Sequence, residues 1–133
     1  MTYTVLYFIQ DALLYQPSIP IRYTHENPRG YKSPEERQIN YSPVILHTSD
    51  WEVLHGWFMT EFDPRHEPSV ANMREDRRLV VFFHENAGNL GLRLDYFQLL
   101  YHEVNCDILA VAYRGYSASS GTPSEDGIKE DAQ

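Results

Sequence analysis

The sequence predicts an α/β fold, an antiparallel hairpin followed by a parallel strand–helix–strand unit. Three observations carry that expectation. Residues 44–48 (VILHT) and Val53–Met59 (VLHGWFM) flank a short polar turn at 49–52, the pattern of a hairpin. Leu79–Phe83 (LVVFF) and residues 107–113 (DILAVAY) are short apolar runs, as expected of strands covered on both faces. Between them Leu90, Leu94, Phe97, Leu100 and Val104 recur at helical spacing and draw one apolar stripe. Strands alternating with a helix argue for a sheet whose later strands run parallel.

The remaining segments follow in order. The N-terminus, MTYTVLYFIQDALLYQP, is apolar for part of its length and has no basic flank or small-residue cleavage site of a signal peptide. It reads either as a surface helix or as the lower end of a membrane helix; nowhere does the chain hold 18 consecutive apolar residues. Residues 16–36, with Pro17, Pro20, Pro28, Pro34, Asn27 and Gly30, read as an extended surface connector. Trp51 is an unusual residue for the hairpin turn. Residues 61–78 are polar and charged, as in a long loop. Thr122-Pro123-Ser124-Glu125 predicts a helix start, with Thr122 as cap, proline at the first helical position and glutamate three after the cap.

Composition narrows the function. A chain of 133 residues with 42% hydrophobic and 14% aromatic residues suits one globular domain. Its formal net charge is −8, and the arginines between Arg65 and Arg93 alternate with acids as on a solvated face. Nucleic acid, which requires clustered basic residues to displace counterions, is not an expected partner. The single cysteine, Cys106, excludes an intrachain disulfide and reads as a small buried thiol.

The stretch His84-Glu85-Asn86-Ala87-Gly88-Asn89 is where chemistry could reside. A zinc-protease helix needs a second histidine one turn after the first, but Gly88 stands there, and Asn-Ala-Gly-Asn is loop chemistry. His25, His47, His55, His66 and His102 show no ligand spacing, so no metal is expected. Gly115-Tyr116-Ser117-Ala118-Ser119 nearly spells a nucleophile elbow. It lacks the final glycine and the immediate helix, and no acid and histidine pair follows. Phosphate-loop and dinucleotide motifs are absent, and no cofactor is expected. What remains is a loop leaving a parallel strand at the edge where open α/β sheets bind ligands. Its backbone N–H groups could stabilise an oxyanion; equally, residue types alone allow a plain structural turn.

Two longer stretches add to this. FFHENAGNLGLRL and ILAVAYRGYSASSGTPSEDGIKEDAQ together resemble the α/β-hydrolase superfamily, in particular its bud-emergence-type branch, which includes alpha/beta hydrolase domain-containing protein thirteen. QDALLYQP and HTSDWEVLHGWF are similar to further pieces of that branch, so the resemblance spans nearly the whole chain. It implies residues 1–36 as a membrane-proximal helix and connector, and 37–133 as the N-terminal part of a hydrolase sheet, ending before the nucleophile elbow. It implies the Asn86 N–H as an oxyanion donor, His84, Glu85, Ala87, Gly88 and Asn89 as its supporting loop, and Arg114, Gly115 and Tyr116 at the site's rim. Glu85, Trp51 and Ser117 stand where the family carries glycine; Glu85 adds negative charge and, at a positive φ, would add strain. The implied function is serine hydrolysis of ester, thioester or amide substrates by a longer protein, with small-molecule or acylated substrates and membrane association. The chain alone, without serine elbow, acid or histidine, is expected to be inactive. The alternative is a non-catalytic remnant serving as a binding or interaction module.

Overall fold

A computed structural model of the chain describes residues 2–61 and 77–133. Among these residues, three α-helices, α1 (Thr2–Leu14), α2 (Leu94–His102) and α3 (Glu125–Asp131), accompany four strands, β1 (Tyr41–His47), β2 (Val53–Met59), β3 (Leu79–Phe83) and β4 (Asp107–Val111). The strands form one mixed sheet in the order β1-β2-β4-β3. β2 lies antiparallel to both β1 and β4, whereas β3 and β4 are parallel, with Leu79 opposite Asp107 and Phe83 opposite Val111. The hairpin and the parallel strand–helix–strand unit are therefore both present.

The core lies between the sheet and α2. Ile108, Ala110 and Ala112 face it from β4 and its extension, and Leu94, Phe97, Leu100 and Tyr101 face it from the helix. Phe82 of β3 meets Phe97 edge to face at 4.9 Å. Burying a side chain such as Phe97 completely contributes about 2 to 3 kcal/mol relative to leaving it exposed. Cys106 is buried here, its thiol donating to the Leu100 carbonyl at 3.3 Å, and burial pushes its pKa up.

Several elements depart from the expected pattern. β3 is covered on one face only: Val80 and Phe82 turn inward, while Leu79, Val81 and Phe83 remain about half exposed. An apolar run announces two apolar faces but not what covers the second. Residues 90–104 do not form one continuous helix, because Leu90–Arg93 is a 3₁₀ turn that leads into α2. The stripe ends at Leu100; Val104 lies beyond the helix and is 58% exposed, and Tyr101 takes its place in the core. α3 is capped by Ser124, not Thr122: Ser124 is extended, and its hydroxyl accepts the Gly127 N–H at 3.2 Å. Pro123 instead packs beside Gly115, whose φ of +79° and lack of a side chain make room for it.

The connector is more than a surface strand. Asn27 is almost fully buried, as is Pro34 at the start of the 3₁₀ turn Pro34–Arg37, and just beyond the connector Ile39 is buried too. The expected loop at 61–78 falls largely outside the described residues, as do Arg65, Arg74 and His66. Its closing end is anchored: the buried Arg77 guanidinium pairs with Glu61 and with Asp107, each at 2.8 Å, rather than lying on a solvated face. Among the described residues, no helix is long and apolar enough to cross a membrane.

Candidate active site

The loops that follow β3 and β4 emerge at the same carboxyl edge of the parallel pair. The first begins with His84, which is 7% exposed. Its Nδ1 donates to the Glu85 carbonyl at 2.6 Å, and its Nε2 accepts the Tyr113 N–H at 3.0 Å. The second contact requires a lone pair on Nε2, which fixes the neutral tautomer. Burial holds the imidazole pKa below its ordinary value, and the positive Arg93 acts in the same direction against the Glu85 contacts. With both nitrogens engaged, His84 is a staple between β4 and the loop rather than a proton carrier.

Successive carbonyls of this loop are all taken. Glu85 O receives His84; Asn86 O receives the Gln16 N–H and the Tyr116 hydroxyl, both at 2.8 Å; Ala87 O receives Arg93 Nη2 at 2.8 Å. In a trans peptide the C=O and the following N–H point in opposite directions. Holding the Glu85 and Asn86 carbonyls therefore aims the N–H groups of Asn86 and Ala87 the other way. Among the described residues, neither N–H makes a hydrogen bond. An unpaired N–H in a peptide whose carbonyl is held is a donor available to an anion or a developing alkoxide.

The loop's flanks explain its shape. Gly88 turns the chain at φ +76°, and its N–H donates to Gln16 O at 3.2 Å. Asn89 is buried and exchanges two amide hydrogen bonds with Asn27, at 2.8 and 2.9 Å, while also donating to Ile21 O. Gly91 follows because a side chain there would collide with the Tyr31 carbonyl and the Asn27 amide. Glu85 does not adopt a positive φ, so the strain conditionally expected there is absent. Its carboxylate lies 2.6 Å from Arg93 Nε, a charge pairing that offsets the negative charge at the loop's entrance.

The second loop is organised around Arg114. Its guanidinium, 8% exposed, bonds Asp131 of α3 and Asp50 of the hairpin turn at 2.7 to 3.1 Å, and its own N–H donates to Asp131. Arg114 pulls the Asp50 carboxyl down to about pKa 2, with Thr48 assisting. The two carboxylates in turn hold the arginine firmly charged. Gly115 donates to Ser120 O at 2.7 Å. Tyr116 is fully buried, which raises its phenol pKa to about 12, and its hydroxyl reaches back to Asn86. Ser117, at φ +50°, keeps its hydroxyl buried as a weak 3.4 Å acceptor for the Leu90 N–H. Trp51, at φ +72°, likewise adopts the left-handed backbone that glycine favours.

Sequence reasoning singled out residues 84–89 and 114–116 but missed Gln16, Asn27, Arg93 and Tyr113. Gln16 and Tyr113 act through the main chain, and the Asn27 partner is 62 positions away, so no local pattern marks them. Among the described residues, no three potential metal ligands converge.

No protein-family model matches the chain. It is 32% identical over 97% of its length to alpha/beta hydrolase domain-containing protein WAV2 of Arabidopsis thaliana, and 33% identical over 96% to protein bem46 of Schizosaccharomyces pombe. The chain belongs to the α/β-hydrolase superfamily. The chain spans 37% and 38% of those two relatives' lengths. It is also 30% identical over 96% of its length to a Saccharomyces cerevisiae protein, YNL320W, described as an uncharacterized membrane protein, and covers 39% of it. An esterase of Pyrococcus furiosus shares the fold, with a TM-score of 0.56 at 19% identity over 75% of this chain and 34% of the esterase.

Proposed function

We propose that this chain is the N-terminal part of a serine hydrolase of ester, thioester or amide substrates, and that it supplies the oxyanion loop with Asn86 N–H as donor. The observation that carries this is the unpaired Asn86 N–H behind a carbonyl held by His84. Holding the peptide units on both sides of Asn86 is more than a plain turn requires, and it gives that N–H one direction. In the reaction, a serine from a later part of the polypeptide would attack the carbonyl carbon, and the Asn86 N–H would stabilise the oxygen as it gains negative charge. Membrane association belongs to the same proposal. It is supported by the membrane description of one relative and by Tyr7, Ile9 and Leu13 of α1, all exposed.

The test begins with the reading frame that continues after Gln133. It should encode Gly-x-Ser-x-Gly, and the full-length product should react with a fluorophosphonate at that serine. A frame without the motif, or an unlabelled folded product, overturns the proposal. A second reading, a non-catalytic binding module, is favoured by one observation, the carboxylate of Glu85 at the loop entrance. Glu85→Gly discriminates the two: a large gain in labelling from an otherwise inert protein supports the module reading for the natural sequence. Comparable labelling before and after supports the hydrolase.

A further inference from the structure

We infer that Gln16 and Tyr116 are positioning residues of the oxyanion loop, and that α1 is thereby part of the frame that aims its donor. The inference rests on the hydrolase reading and adds to it a contribution from the N-terminal segment.

Gln16 follows the last turn of α1 by two residues and pairs with Ala87 as an isolated parallel bridge. Its N–H donates to Asn86 O at 2.8 Å, and its carbonyl accepts the Gly88 N–H at 3.2 Å. The Asn86 side chain completes the connection, its Nδ2 donating to Leu14 O at 2.7 Å, where the helix would otherwise leave a carbonyl free. The Gln16 side chain closes the same helix end by donating to Ala12 O at 2.7 Å and Leu13 O at 3.1 Å. From the opposite flank, the buried Tyr116 hydroxyl reaches the same Asn86 carbonyl at 2.8 Å.

The effect on the donor follows from peptide planarity. His84 fixes the peptide unit before the Asn86 Cα, while Gln16 and Tyr116 fix the one after it. With both planes held, neither φ nor ψ of Asn86 can relax independently, and its N–H keeps one direction. A donor aimed before the reaction need not be reoriented when the oxygen becomes charged. Tyr116 earns particular weight because a buried phenol contributing only apolar packing could be phenylalanine.

The experiment uses the full-length protein that carries this chain, as wild type, Tyr116→Phe and Gln16→Pro, with a p-nitrophenyl acyl ester as substrate. Removing an oxyanion donor outright costs about 100- to 1,000-fold in kcat. Loosening its aim should cost about tenfold in each variant, with KM changed less than twofold. Loss of packing alone would lower the amount of folded enzyme without this split between kcat and KM. Hydrogen exchange over residues 84–90 gives a reading independent of catalysis: the Gly88 amide should exchange about tenfold faster in both variants. Faster exchange in a protein that hydrolyses nothing supports the positioning and removes the hydrolase reading. Unchanged exchange, or unchanged kcat in folded Tyr116→Phe and Gln16→Pro enzymes, overturns the inference.

Discussion

The loops leaving β3 and β4 reach the same edge of one sheet, yet their polar groups hold different things. After β4, the charges are spent internally: Arg114 closes on Asp50 and Asp131, and Ser119, 1% exposed, accepts the His55 N–H and donates to Ala112 O. After β3, side chains and the Gln16 main chain hold the loop's carbonyls instead. Among the described residues the Asn86 and Ala87 N–H groups stay unpaired, as the Ser117 and Ala118 N–H groups do after β4. Unpaired N–H groups therefore do not by themselves mark a site; what distinguishes the β3 loop is that the peptide units on both sides of Asn86 are held, which fixes the direction of its N–H. The β4 loop is braced by a buried charge cluster and the β3 loop is aimed by its held peptides, even though both lie on equivalent parts of the sheet.

The largest test of that contrast is Arg114→Met. It strips the partner from Asp131, whose side chain is 1% exposed, and should cost about 3 kcal/mol in chemical denaturation. A loss below 1 kcal/mol would mean that the β4 loop is not the brace described. Next in size is Asn27→Leu, which leaves the buried Asn89 amide without its reciprocal partner. The expected loss is about 2 kcal/mol, with the folded spectrum retained.

A pH titration sharpens the role of His84. Burial lowers its pKa in the folded state, so the unfolded chain takes up the proton first. Its contribution is therefore whole above the ordinary histidine value of about 6.5 and diminishes as the pH falls below it. Wild type minus His84→Gln should isolate this slope; parallel curves would remove histidine from the account. The smallest effect is at the hairpin. Trp51→Gly relieves a left-handed backbone at the expense of a more flexible unfolded chain, a net gain of about 0.5 kcal/mol by thermal melting.

How far the sequence discloses this molecule depends on the range of each interaction. β2 lies within its expected bounds, and the parallel unit follows from the two apolar runs and the stripe between them, because period and turn chemistry are local. The α3 cap is displaced by two residues since Thr122-Pro123 imitates a helix entrance, whereas Pro123 is engaged against Gly115. Whether the outer face of β3 is covered cannot be read from LVVFF, as coverage is set by other elements. At the candidate site, HENAGN reveals the loop. The groups that orient it come from residues 16 and 116, far off in sequence and, in the case of Gln16, through backbone atoms that every residue but proline carries.

The hairpin leaves the protein with an optical consequence. Its two tryptophans occupy unlike surroundings: Trp51 is 90% exposed at the turn, whereas Trp57 packs partly buried against the core and meets Tyr41 edge to face at 6.1 Å. Iodide in solution should quench the red-shifted emission of the first while largely sparing the second. Fluorescence can then follow the tip where Asp50 meets Arg114 and the centre of the sheet as two separate signals, with no label added.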